Sequence, residues 1–400
     1  MSINNKQTIG LFGFGVVGES LYQVLRQSRT TNASIKTICI KNPGKARSLP
    51  GNCFTTRPED ILDDPEINLV VELISDADAA FDIVSRALRS GKSVVSGNKK
   101  MLAFHLEELL GLQALQGTAL LYDASACGSI PVIRNLEEYY DNDLLLSITG
   151  ILNGSSNFVL SRIFHEGIDY ATAIEQAREK GFLEADPRMD VGGFDALYKL
   201  VILALHGFGA IVDPNKVFVR GIENLHQADI RFAREKGYRI KLVAQASKVR
   251  GGRFNCLVLP RFVTEEDYIY NVENEYNGVV INGEFYEKQF MFGKGAGGLP
   301  TGSSVLSDIT ARMHSYRYEY KKRKYFSIPA FTNDLMVKVY VRYQRDEELE
   351  IFGLVDMEEQ LSAPNYKYAI GKACLSRLVE RKEQIERFNG FLAYFDIEDS

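Results

Sequence analysis

The segment Phe194–Gly207 reads Phe-Asp-Ala-Leu-Tyr-Lys-Leu-Val-Ile-Leu-Ala-Leu-His-Gly, and its two charged residues are well placed for chemistry. Asp195 and Lys199 stand at i and i+4, on one face of a helix. On a surface helix such a pair is an ordinary salt bridge worth about 0.2–0.5 kcal/mol. Leu200 to Leu205 is apolar all round, however, which predicts a buried helix. Two charges on a buried helix are costly to desolvate, and a polar pocket for a charged substrate is one reason to keep them. Just upstream lie Glu184, Asp186 and Asp190, so four acids, counting Asp195, fall within twelve positions of an otherwise apolar region. Carboxylates grouped with one lysine suit a zwitterionic substrate: the acids hold an ammonium and the lysine faces a reacting oxygen. A metal site competes for the same acids, but no histidine is near and calcium-loop spacing is absent.

A second constellation lies at the N-terminus. Gly13-Phe14-Gly15-Val16-Val17-Gly18 follows an apolar strand and opens a helix, the context in which G-x-G-x-x-G binds a dinucleotide. The first glycine makes the tight turn, the second admits a pyrophosphate and the third packs helix on strand, so the helix N-terminus faces the phosphates. The competing reading is a glycine-rich turn without a cofactor. NAD-specific folds place an acid about 20 positions onward to bind the ribose 2′-hydroxyl. Here the next strand ends Cys39-Ile40-Lys41-Asn42, without an acid, and Lys41, Lys45 and Arg47 are basic. That suits a 2′-phosphate and favours NADP over NAD, against the alternative of solvated loop charges.

The elements that must position these groups change character along the chain. Ile9–Phe12, Ile35–Ile40, Leu69–Ile74, Ser93–Val95 and Ala119–Tyr122 read as strands alternating with helices, which predicts a parallel, doubly wound sheet. From about residue 145 the texture shifts: a β-like Leu144–Leu152, helices near 171–180 and 194–207, then strand-like runs from Ile240 to Phe292. The expected organisation is α/β plus α+β. A dinucleotide-binding domain spans 1–144, completed by about 301–326; an α+β substrate and dimerisation domain spans 145–300; a small β/α appendage spans 327–400. In the appendage Met336–Tyr343, Tyr366–Ile370 and Phe391–Phe395 read as strands and Leu375–Phe388 as a helix; no first βαβ half is visible.

Composition excludes several classes. The 400 residues carry a net charge of −5 with mixed signs, which is no nucleic-acid footprint. The five cysteines are scattered and odd in number, against a disulfide framework or structural zinc and in favour of a reducing cytoplasm. No apolar run approaches the roughly 20 residues that cross a bilayer, and the N-terminus has no signal-peptide pattern.

Seven stretches, in this order, resemble homoserine dehydrogenases: Gly13–Gly18; Val70–Ile74; Ser96-Gly97-Asn98-Lys99-Lys100; Tyr122–Pro131; Gly150–Asn157; the acidic stretch through Lys199; and Gly293–Thr301. The resemblance covers roughly residues 7–312 and implies NAD(P)-dependent interconversion of L-homoserine and L-aspartate 4-semialdehyde, on the way to threonine, methionine and isoleucine. It implies Lys199 as the proton donor to the aldehyde oxygen and Lys99 as a second active-site lysine beside the nicotinamide. Glu184 and Asp195, with Asp190, would bind homoserine, and Gly297 would join Lys41, Lys99 and the glycine turn in holding cofactor. Asp123 and the carbonyls of Ala126, Gly128 and Ile130 resemble a sodium site, although the family commonly has Glu where Asp123 stands. Gly97 departs mildly from the family's Ala or Pro. A homodimer or homotetramer is expected. So is a C-terminal appendage of degenerate ACT-like or unrelated type, without threonine binding, because Gln344–Leu349 lacks the Asp-x-Pro-Gly turn. Rival readings are a glucose-fructose-type oxidoreductase, which would have Pro at Lys100, and a cofactor sensor, which would have lost Lys199 or the glycine turn.

Overall fold

The computed structural model describes residues 6–29 and 32–398. The chain forms two compact units, one of residues up to Tyr139 with Lys294–Tyr320, the other of Tyr140–Gly293 with the chain from Lys321 onward.

The first unit runs β1 (Gln7–Phe12), α1 (Val16–Gln27), β2 (Ala33–Cys39), β3 (Phe54–Thr55), α2 (Glu59–Leu62), β4 (Leu69–Glu72), α3 (Ala77–Arg89), β5 (Ser93–Ser96), α4 (Lys99–Gln116), β6 (Leu120–Leu121) and α5 (Val132–Glu138). Its strands pair in parallel in the order β3-β2-β1-β4-β5-β6, the order of doubly wound dinucleotide-binding sheets. Every residue of β4 and β5 is buried, as expected for strands covered on both faces. Side chains start the helices that follow: Asp76 accepts from the Ala79 N–H and Asn98 from the Met101 N–H, each satisfying an orphan donor of a first turn. The strand order reverses between β1 and β4, so the crevice outside their carboxyl ends is where a ligand belongs.

The second unit opens with β7 (Leu145–Ile151), α6 (Gly154–Glu166), α7 (Tyr170–Glu179), α8 (Arg188–Val191) and α9 (Phe194–Phe208). It continues through β8 (Phe218–Val219), α10 (Gln227–Glu235), β9 (Arg239–Val249), β10 (Arg253–Val263), β11 (Tyr276–Gly283) and β12 (Glu287–Lys294). Helix α9 is buried throughout from Asp195 to Phe208 and packs on β7, β9 and β10. The chain then returns to the first unit for α11 (Gly298–Met313), which lies along α1.

The rest of the chain belongs to the second unit: α12 (Lys321–Tyr325), β13 (Ala330–Phe331), β14 (Met336–Tyr343), α13 (Leu349–Phe352), β15 (Val355–Ala363), β16 (Tyr366–Cys374), α14 (Leu375–Glu380), α15 (Lys382–Glu386) and β17 (Phe391–Glu398). One sheet runs β12-β11-β7-β9-β10-β17-β14-β16-β15, with β8 and β13 also on β10. Its last four strands are antiparallel neighbours in a β-α-β-β-α-β order, the split βαβ arrangement. The expectation that no first βαβ half exists is therefore corrected. The first crossover is only the turn from Asp346 to Phe352, and four helical residues carry no readable period. The expected helix Leu375–Phe388 is two short helices broken at Arg381. Phe218, Leu257 and Leu259 share one apolar core with Val337, Val339, Leu375 and Tyr394, so this tail packs into the second unit.

Candidate active site

In the first unit the glycine turn has the conformation its sequence requires. Gly13 has φ +92°, and a Cβ there would lie 2.7 Å from the Leu73 carbonyl oxygen. A Cβ on Gly18 would lie 2.3 Å from the Gly13 carbonyl oxygen. A Cβ on Gly15 would meet nothing within 4 Å. The protein thus fills the space around the first and third glycines and leaves open the space in front of the second, at the N-terminus of α1. Val16, the first residue of α1, is 73% exposed. This cradle fits a pyrophosphate. Gly297 (φ +114°) caps α11, and a Cβ on Gly298 would lie 2.4 Å from the Ser20 Oγ, so the starts of α1 and α11 adjoin.

The basic loop after β2 is built round Arg47. Its guanidinium donates to the carbonyls of Asn42 and Lys45, each at 2.7 Å, and lies 5.4 Å above the Phe54 ring. Phe14 of the glycine turn packs edge-on against the same ring. The buried Arg47 Nε has no partner among the described residues, and Lys41, six positions earlier, is exposed. Lys99 opens α4, just after the carboxyl end of β5. Asn98, its cap, also donates to the Ile74 carbonyl at 3.1 Å.

In the second unit the structure brings two of the four acids, Asp190 and Asp195, into one network and leaves Asp186 and Glu184 outside it. Lys199 Nζ lies 2.8 Å from Asp195 Oδ2 and donates to the Leu152 carbonyl at 2.7 Å. Both residues are 6% exposed. Asn153 Nδ2 donates to Asp195 at 2.9 Å and to Asp190 at 2.7 Å, while its Oδ1 accepts the Ser156 N–H as the cap of α6. That cap fixes which end of the amide faces the carboxylates. Asp186 instead forms a local, exposed pair with Arg188, which holds its carboxyl down at about 2. Glu184 is exposed between α7 and α8.

The loop after β6 carries the residues expected to hold sodium. Asp123 is buried, and its Oδ1 accepts the Arg134 N–H. Cys127 and Gly128 both have positive φ, and a Cβ on Gly128 would strike the Gly295 carbonyl. Among the described residues no group of three or more His, Cys, Asp or Glu is placed to hold a metal.

Sequence reasoning missed three groups. Asn153 lies inside a recognised stretch but its bridging role needs the fold. Glu72, at the end of β4, is fully buried; burial pushes its carboxyl up to about 7, against hydrogen bonds from the Ser96 Oγ and the Ile74 N–H. Asp308 on α11 accepts from the Asp123 N–H and pairs with Arg134. Burial, then the nearby Asp123 charge, raises its carboxyl to about 7.

Comparison with known proteins agrees with this geometry. A family model for the homoserine dehydrogenase NAD binding domain matches residues 13–123, and one for homoserine dehydrogenase matches residues 131–310. The chain is 35% identical over 318 residues to a homoserine dehydrogenase of Bacillus subtilis, covering 77% of this chain and 73% of that one. It is 34% identical over 309 residues to that of Neisseria gonorrhoeae, covering 75% and 71%. A homoserine dehydrogenase structure from Thiobacillus denitrificans superposes with a TM-score of 0.84 at 27% identity, covering 98% of both chains. A hyperthermophilic archaeal homoserine dehydrogenase in complex with NADPH gives 0.68 at 26% identity, covering 78% of this chain and 99% of that one. The chain belongs to the homoserine dehydrogenase family of NAD(P)-dependent oxidoreductases.

Proposed function

We propose that the chain interconverts L-homoserine and L-aspartate 4-semialdehyde with Lys199 as the proton-handling group and NADP(H) as the better cofactor. The observation that carries this reading is the buried Asp195–Lys199 pair on α9, tied through Asn153 to Asp190. When bound, the nicotinamide supplies the hydride chemistry. Lys199 gives a proton to the carbonyl oxygen in reduction and takes it from the hydroxyl in oxidation. Asp195, Asp190 and Glu184 bind the ammonium and hydroxyl of the amino acid. Lys99, at the mouth of the dinucleotide crevice, is the second active-site lysine. The Gly13–Gly18 turn with Phe14, Val16 and Val17, together with Gly297, holds the dinucleotide.

The preference for NADP(H) is supported by the loop after β2, where Lys41 is exposed and no acid stands at the strand end. Side-by-side kcat/KM values with aspartate 4-semialdehyde test it, and a strong preference for NADH would overturn it. Sodium bound by Asp123 and the carbonyls of Ala126, Gly128 and Ile130 is part of the proposal. A buried carboxylate beside a loop turned by two positive-φ residues suits a monovalent ion. Replacing sodium by tetramethylammonium should lower activity. A homodimer or homotetramer is supported by the exposed Phe285, Phe290, Phe292 and Tyr268 along the β12 edge, because a cluster of exposed aromatics marks an interaction surface. Light scattering that returns a monomer would refute it. The enzyme would act in the cytoplasm. Its C-terminal module, degenerate ACT-like or unrelated, would not bind threonine; saturable inhibition by threonine, lost on deleting residues 327–400, would show otherwise.

A further inference from the structure

Lys199 has two fixed partners, Asp195 Oδ2 at 2.8 Å and the Leu152 carbonyl at 2.7 Å. An ammonium has three N–H bonds, so two held bonds set the direction of the third. The second of these partners is itself held from a neighbouring strand. Asn277, near the start of β11, donates its Nδ2 to the Leu152 carbonyl at 3.0 Å. The pairing of β11 with β7 puts it there, since Gly278 stands opposite Ile151. Asn277 is fully buried, and its Oδ1 has no hydrogen-bond partner among the described residues. A buried amide with one half unsatisfied works against the fold, and an apolar side chain would avoid that burden. What the amide gives is a donor aimed at the carbonyl that orients the lysine. A flipped amide would set oxygen against oxygen, so its orientation follows from its acceptor.

We infer that Asn277 is a positioning residue for the reaction: by fixing the Leu152 carbonyl it fixes the direction of the remaining N–H of Lys199. This rests on the reading of Lys199 as the acid/base. Asn277 touches no reacting atom in this role, so its loss misaligns the proton donor and leaves cofactor binding alone.

A double-mutant cycle tests it. Asn277→Ala should lower kcat for homoserine oxidation by about 10- to 100-fold, with the KM for cofactor unchanged within about threefold. In a Lys199→Ala background the same substitution should cost less than about threefold, because no lysine is left to orient. Asn277→Asp keeps the shape but replaces the donor with a carboxylate, which favours the ammonium form of Lys199 and should move the pH midpoint of kcat upward. It also serves in the cycle if Asn277→Ala does not fold. A merely structural Asn277 would cost the same factor in the wild-type and Lys199→Ala backgrounds, and that result overturns the inference. The two readings fail separately. Lys199→Ala within tenfold of the wild type sinks the lysine assignment, whereas a strongly impaired Lys199→Ala in which Asn277→Ala costs as much as it does in the wild type sinks only the role of Asn277.

Discussion

Asp195 and Lys199 sit one turn apart on α9 and touch, Oδ2 to Nζ at 2.8 Å, with each residue 6% exposed. The attraction between two buried charges does not reliably exceed the cost of taking both from water, so such a pair is a weak reason for stability. Its retention on an otherwise apolar helix is better explained by what it does at the site. The lysine is held by Asp195 and by a backbone carbonyl, and the aspartate is held in turn by Asn153.

Lys199→Ala should therefore abolish most turnover and spare cofactor binding. Loss of a positioned proton donor lowers the rate by about 10²–10⁴. The variant should also melt earlier, because the buried Asp195 loses its counter-ion and keeps the Asn153 amide as a donor. Steady-state kinetics together with an NADPH fluorescence titration check both halves; turnover within tenfold of the wild type would contradict the assignment.

Asp195→Ala and Glu184→Ala should part company, although both remove a proposed substrate ligand. Asp195→Ala leaves a buried lysine without its counter-ion, which costs about 3–5 kcal/mol, so the thermal midpoint and the activity should fall together. Glu184 is exposed, and surface substitutions usually stay within about 0.5 kcal/mol of the wild type in stability. Its loss should instead raise the homoserine KM, by the equivalent of about 1.5–3 kcal/mol for a hydrogen bond to a charged group. Thermal melts beside Michaelis curves separate the two; equal melting losses would disprove this account.

Gly15→Ala and Gly18→Ala give the matching contrast in the first unit. The Cβ of Gly18→Ala would press on the Gly13 carbonyl, a backbone atom that cannot step aside, so that variant should unfold more easily. The Cβ of Gly15→Ala meets no protein atom, so the melting temperature should hold while NADPH affinity drops at least about tenfold, since the methyl fills the space a pyrophosphate approaches. Unchanged NADPH affinity in Gly15→Ala would mean that the cofactor lies elsewhere.

What was legible in the sequence was contiguous. The glycine turn is a backbone device written in six adjacent residues, and α9 announces its burial through an unbroken apolar run. The strands of the first unit are short and apolar between turns, and the parallel order follows from their alternation with helices. What was not legible depends on contacts distant in sequence. Asn277 reaches Leu152 across 125 positions and Asp308 reaches Asp123 across 185; neither has a local pattern. Four acids close in sequence looked like one group, yet Asp186 turns to Arg188 while Asn153 gathers only Asp190 and Asp195. Strand β15 escaped notice because Val355-Asp356-Met357-Glu358-Glu359 is exposed along most of its length at the sheet edge, so no alternation of burial shaped it.

Glu72→Gln should change how stability depends on pH. Burial raises the carboxyl from 4.5 to about 7 in the folded chain. The unfolded chain releases that proton first, so between roughly pH 4.5 and 7 the native state binds more protons and stability falls as pH rises. The contribution is fully present below the unfolded value and lost once the pH passes about 7. A shift of this size corresponds to about 3 kcal/mol. Glutamine keeps an acceptor for the Ile74 N–H and offers a donor to the Ser96 hydroxyl, without a charge to desolvate. The variant should therefore match the wild type near pH 5, exceed it above pH 7, and show a shallower slope between. Asp308 titrates in the same window, so the slope is reduced and not abolished. Urea melts at pH 5, 6, 7 and 8 measure this, and a Glu72→Gln protein with the wild-type slope would show that Glu72 is charged in the fold.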